Sequence, residues 1–152
     1  MHNRARLTTE MIVMLAPDDE WQAWSRIGDP VLHIELRDWA DVLVIAPLSA
    51  HTLAKVATGL CDDTLTCVAR AWDLGHVTGR PPKPIVLAPA MNTAMWQHPL
   101  TQQQLQTIKA FSSTDMVKVV APMVKTLACG EVGTGALAHV DDIVMAVRDA
   151  VS

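Results

Sequence analysis

Two stretches of the chain, ADVLVIAPL at 40–48 and PIVLAPAM at 84–91, end alike. In each, an almost unbroken apolar run stops at Ala-Pro, and small or polar residues follow. A strand without polar alternation is one whose two faces are both covered, as in the middle of a parallel sheet. Proline has no N–H to extend a ladder, so the chain is expected to turn at each of these sites. If the two strands are neighbours, Ser49, Ala50, His51 and Thr52 come close to Ala90, Met91 and Asn92. Ligands of open α/β sheets bind beyond such carboxyl ends.

The remainder of the chain supplies the helices that such a sheet needs. MIVML at 11–15 reads as a short strand, and DDEWQAW at 18–24 opens a helix with acidic residues in its first turn. GDPVLHIEL at 28–36 reads as a turn and a short extended piece. Residues 49–75 are helical, with Leu53, Val56, Ala57 and Leu60 at helical spacing, and Gly59 with the Cys-Asp-Asp run divides them into two helices. A loop rich in proline occupies 76–84. Residues 98–111 form a helix with Thr101 as its N-cap, 117–122 a third strand, 127–138 an irregular glycine-rich loop, and 139–151 a closing amphipathic helix. Strands alternating with helices predict an α/β domain of three layers, a doubly wound parallel sheet of the flavodoxin or Rossmann kind. All 152 residues are read as one domain.

Composition removes several functions. The net charge is −4 and there is no basic run, which argues against a nucleic-acid partner. One Phe and no Tyr leave few platforms for stacking bases. The apolar runs are too short to span a bilayer, and the N-terminus lacks the long apolar core of a signal peptide, so the protein is read as cytoplasmic. Cys61, Cys67 and Cys129 make an odd number without a C-x-x-C pair, which argues against a disulfide framework or zinc knuckle. No two histidines have the spacing of metal ligands.

The candidate site residues each carry two readings. Ser49 or Thr52 either caps the helix that follows or helps seat a ligand on its free amide hydrogens. Asn92 either forms a turn or orients a carboxylate or amide, since it both donates and accepts at any pH. Cys129 lies among Gly130, Gly133 and Gly135, either as a part-buried loop thiol or as a proton donor riding on a hinged flap. His33 by spacing alone is a structural or surface histidine.

Taken together, PAMNTAMW at 89–96, ACGEVGTGALA at 128–138 and most of 19–73 resemble the flavin-dependent cysteine decarboxylases, above all the 4′-phosphopantothenoylcysteine decarboxylases and their halotolerance-protein relatives. The resemblance implies FMN as cofactor and (R)-4′-phospho-N-pantothenoylcysteine as substrate. It also implies oxidation of the substrate thiol, loss of CO2 from the activated carboxylate, and return of the electrons to give 4′-phosphopantetheine. It assigns His33 to the first half-reaction and Cys129 to protonation in the second. It places Ser49, Ala50, His51, Thr52 and Ala90 against the flavin, and Asn92, Met95, Leu127 and Ala128 against the substrate. It implies a homotrimer with sites between subunits. A relative acting as a non-catalytic regulatory or partner subunit is the alternative, and a peptidyl-cysteine decarboxylase a more distant one.

The chain departs from the pattern at His51 and Asp63, where the family usually has asparagine. It also departs at the front, where only 39 residues precede ADVLVIAPL and no glycine- and serine-containing phosphate turn occurs. A full βαβ unit takes about 30 residues or more. The expectation is therefore a domain lacking the family's N-terminal βαβ unit, through truncation or because another chain supplies it.

Overall fold

The structure, a computed structural model, describes residues 24–76, 79–112, 114–126 and 132–152. The expected strand at 11–15, nearly all of the expected helix start at 18–24, and Leu127, Ala128 and Cys129 lie outside the described residues. The order of elements is helix α1 (Leu32–Trp39), strand β1 (Leu43–Leu48), helices α2 (Ala50–Thr58) and α3 (Thr64–Ala71), strand β2 (Ile85–Pro89) and helices α4 (Thr93–Gln97) and α5 (Pro99–Lys109). Strands β3 (Val117–Val119), β4 (Met123–Thr126) and β5 (Val132–Ala136) and helix α6 (Val140–Val151) follow.

Strands β1, β2 and β3 form a parallel sheet in that order. Right-handed crossovers between strands laid down in one direction leave their connecting helices on one face. Leu53 of α2, Val68 of α3, and Leu105 and Ile108 of α5 accordingly share one core with Leu43, Ile45, Ile85, Leu87 and Val117 of the sheet. Helix α6 covers the other face, where Ile143 packs with Ala88 and Ala138 against Val120 and Leu137. Helices thus cover both faces of a parallel sheet, and the three-layer α/β expectation holds.

Local chemistry accounts for most boundaries. Helix α2 starts on Ser49, whose Oγ accepts the Thr52 N–H at 3.1 Å, and stops at Gly59, whose φ of 76° is a left-handed conformation natural to glycine. Helix α3 starts on a capping box in which Asp63 accepts the Thr66 N–H at 2.8 Å and the Thr66 hydroxyl faces back to the Asp63 N–H at 3.3 Å. Lys55 holds Asp63 at 2.9 Å, so the aspartate that departs from the family pattern ties α2 to α3.

Four expectations need correction. The strand buried on both faces is β2, at all five positions, whereas β1 buries only Leu43, Ile45 and Leu48. Val44 is 37% exposed on the outer strand of the described sheet, while α6 packs on β2. The chain does not turn at Pro47, since β1 runs through it with a break in register between Ile45 and Leu48, whereas β2 does stop at Pro89, paired with Leu48. The segment holding His33 is helical rather than extended. Residues 132–136 of the glycine-rich segment form β5, antiparallel to β4, because each strand supplies the other's backbone partners.

Candidate functional site

The two Ala-Pro strand ends do finish side by side. Leu48 is opposite Pro89, and the Ala90 N–H donates to the Leu48 carbonyl at 2.9 Å. Immediately beyond Leu48, Ser49 uses its side chain twice within the first turn of α2, accepting from the Thr52 N–H and donating to Thr52 Oγ1, each at 3.1 Å. The Leu53 N–H takes the Ser49 carbonyl at 2.9 Å. The amide hydrogens of Ala50 and His51 lie in the first turn of α2, where no intrahelical carbonyl reaches them, and among the described residues they are open to a ligand at the positive end of the helix. Ala50 and Ala90 put only methyl groups there.

Beyond Pro89, Ala90 and Met91 lead to Asn92, whose extended backbone opens α4. Asn92 is the N-cap of that short helix, its Oδ1 accepting the Met95 N–H at 2.9 Å. The cap uses the acceptor end of the amide and leaves the Nδ2 hydrogens without a partner among the described residues. Asn92 is exposed, so those donors face outward beside the strand ends. Asn92 thus caps a helix while its amide donors stay exposed. Met95, on the same short helix, is 49% exposed. Thr101 is not the N-cap of α5. That role falls to His98, whose Nδ1 accepts the Leu100 N–H at 3.2 Å. The Thr101 side chain turns inward instead, its hydroxyl donating to the Met95 carbonyl at 2.5 Å and locking α4 onto α5.

Strand β5 meets this motif directly. The Met91 N–H donates to the Gly135 carbonyl at 2.9 Å. A Cβ on Gly135 would run into the Met91 carbonyl oxygen and lie 3.3 Å from its carbonyl carbon, and the φ of 128° is strained for any other residue. Gly135 is therefore the residue that lets the glycine-rich segment dock on the Pro-Ala-Met-Asn turn. Sequence reasoning read the glycines as hinges. The signal available for docking was the G-x-G alternation within a five-residue strand.

The structure thus gathers Ser49, Ala50, His51 and Thr52 with Ala90 and Asn92 at one end of the sheet, with Met95 on the adjoining helix. His51 is exposed on the first turn of α2. His33 is half-buried in the first turn of α1, and the backbone bonds that join Leu48, Ala90, Met91 and Gly135 do not involve that helix. Leu127, Ala128 and Cys129 are outside the described residues, although Thr126 and Val132, which flank their segment, are paired in the β4–β5 ladder. The gathered residues offer small side chains, hydroxyls, an amide, the His51 imidazole and first-turn backbone donors. Such a set suits a flat, polar-edged ring and offers no redox group of its own.

Comparison with known proteins agrees with this geometry. The flavoprotein family model matches residues 5–152. The phosphopantothenoylcysteine decarboxylase of Oryza sativa subsp. japonica is 52% identical over 137 residues, which cover 90% of this chain and 57% of that protein. A solved structure of a cysteine-to-serine mutant of PPC decarboxylase, complexed with pantothenoylaminoethenethiol, superposes with a TM-score of 0.75 at 51% identity, over 87% of this chain and 66% of that one. The FMN binding protein AtHal3 gives a TM-score of 0.72 at 52% identity, over 87% and 65%. The chain spans about three-fifths of the length of the curated relatives it matches. A flavodoxin-like sheet with paired Ala-Pro strand ends, a Pro-Ala-Met-Asn turn and a docked glycine strand places this chain in the flavoprotein family.

Proposed function

We propose that this chain is the catalytic domain of an FMN-dependent carboxy-lyase that converts (R)-4′-phospho-N-pantothenoylcysteine to 4′-phosphopantetheine. The observation that carries the reading is the Met91–Gly135 bond, which joins the two family-specific motifs at the carboxyl ends of β1 and β2. The fit to FMN rests on the open amides of Ala50 and His51, on the methyl-sized floor at Ala50 and Ala90, and on the Ser49–Thr52 pair beside them. When bound, FMN supplies the two-electron oxidation and reduction that protein side chains cannot.

The chain's own residues do the rest. Asn92, with its acceptor held by Met95, aims Nδ2 hydrogens at the substrate carboxylate and orients it without adding a titrating group. Met95, Leu127 and Ala128 take part in substrate binding. His33 serves the thiol oxidation, and Cys129 delivers the proton that completes the product. His33 is assigned, as in the family pattern, to the site of a neighbouring copy within a homotrimer. No helix among the described residues is long and apolar enough to cross a membrane.

The test is turnover. Protein supplied with FMN and substrate is expected to release CO2 and form 4′-phosphopantetheine, read by mass spectrometry. Cys129→Ser is expected to stop after CO2 loss and accumulate the oxidised enethiol. FMN binding without CO2 release from the unaltered protein would reject the lyase in favour of a non-catalytic partner subunit. Normal product from the variant would remove Cys129 from its role.

A further inference from the structure

Helix α1 carries His33 and fully buries none of its own residues. Leu36, and Ala40 just past its end, pack against the main core. Its last turn is held by polar groups distant in sequence. Lys83 Nζ donates to the carbonyls of Arg37 and Ala40, each at 2.8 Å, acceptors that a helix end leaves open. Lys83 is itself fixed. Its N–H donates to the Asp73 carbonyl at 2.7 Å, its carbonyl accepts the Trp72 indole N–H at 3.1 Å, and its ammonium lies 5.6 Å from the centre of that ring.

Asp73 completes the anchor. Its side chain is 2% exposed, with Oδ2 3.4 Å from Arg80 Nη1 and 3.8 Å from Arg37 Nε. Asp38 Oδ1 accepts from both guanidiniums, at 2.6 Å from Arg80 and 2.9 Å from Arg37. Asp73 Oδ1 is buried with no hydrogen-bond partner among the described residues. A buried carboxylate so placed depends on Arg37 and Arg80 for compensation, and Arg37 belongs to α1. The last turn of α1 is thereby tied to the chain that leads into β2.

We infer that Lys83 and Asp73 are positioning residues for His33, holding the C-terminal turn of α1 so that its first turn presents the imidazole at a set place and angle. The inference rests on the decarboxylase reading for what His33 does, but the anchoring itself does not. A helix of eight residues is about 12 Å long, so a tilt at the held end moves the other end by an appreciable part of that length. Displacements of about 1 Å at a catalytic group are enough to cost on the order of a hundredfold in rate.

The test uses Lys83→Met, which keeps most of the stem over Trp72 and removes the ammonium, with Lys83→Arg as the conservative control. Amide exchange in residues 36–40 is expected to speed up about tenfold or more in Lys83→Met while exchange in β2 stays as it was. With FMN and substrate, the oxidative half-reaction, followed by flavin bleaching, is expected to slow about tenfold or more at unchanged FMN affinity. Lys83→Arg is expected to recover part of both. In a His33→Gln background Lys83→Met should cost nothing further, since the effect acts through His33.

Unchanged exchange at 36–40 overturns the anchoring. An equal loss in both half-reactions, or a further loss in the His33→Gln background, overturns the positioning role. Absence of turnover in the unaltered protein defeats the decarboxylase reading and His33's role with it, while exchange still decides the anchor.

Discussion

The two ends of the parallel sheet are built on opposite plans. At the carboxyl end, Ser49, Ala50, Thr52, Ala90 and Asn92 carry no fixed charge, and Asn92 Nδ2 and the first amides of α2 remain available. At the amino end, Asp38, Asp73, Arg37, Arg80 and Lys83 spend their charges on one another and on the last carbonyls of α1. One end leaves its donors open, where a ligand must compete only with water. The other closes them, where elements must be held. The comparison teaches that binding and anchoring are separated along a sheet only about five residues long, and that substitutions should separate them too.

The largest effect is expected at the open end. Gly135→Val places a branched side chain against the Met91 carbonyl and strains a φ of 128°. A loss of about 3 kcal/mol or more in urea unfolding is expected, together with loss of FMN-dependent turnover. If this variant keeps both, β5 is not docked on the Pro-Ala-Met-Asn turn. Next comes Asp73→Ala at the closed end, which leaves Arg37 short of its buried partner. About 2 kcal/mol of stability is expected to go, below the range for breaking a fully buried pair because Arg80 is 41% exposed. FMN affinity measured by fluorescence titration should hold, and a parallel fall in both quantities would erase the distinction between the ends.

Asn92 offers a finer cut. Asn92→Ala loses the cap of α4 and about 1 kcal/mol, whereas Asn92→Asp keeps an acceptor for the Met95 N–H and should cost under about half of that. Both are expected to lose decarboxylation, because neither retains the amide donors. Activity surviving in the aspartate variant would make Asn92 a cap and nothing more.

The smallest effect is acid sensitivity. The hydrogen bond from Arg80 holds the Asp38 carboxyl below its ordinary value of 3.8, against the opposing pull of burial and with help from Arg37. At Asp63 burial raises the value, but the Thr66 N–H, the Thr66 hydroxyl and Lys55 together outweigh it and the net direction is down. A carboxyl lowered on folding adds stability above its unfolded value, and that contribution is lost as pH falls through the folded one. Stability from these groups should therefore be constant from neutrality to about pH 4 and fall below it. Amide exchange near Arg37–Ala40 should rise before exchange at Leu48 and Ala90. The reverse order would contradict the placement of the titrating anchors at the amino end.

The sequence by itself determined the elements that local chemistry decides. The apolar runs of β1 and β2, the division of 49–75 at Gly59 and Asp63, and the amphipathic α6 all follow from side-chain period, glycine φ and caps within a few residues. The Asn92 cap within 89–96 is local too, but it was resemblance to the family that marked the motif out. Tertiary structure alone decided that α1 is a helix: Val31 gives it no side-chain cap, and its end is completed by Lys83 from more than forty residues away. It decided that Thr101 turns inward, that β2 rather than β1 is covered on both faces, and that Gly135 closes on Met91. These outcomes depend on hydrogen bonds and cover supplied by residues remote in sequence, and a partner of that kind leaves no period or spacing in the segment it completes.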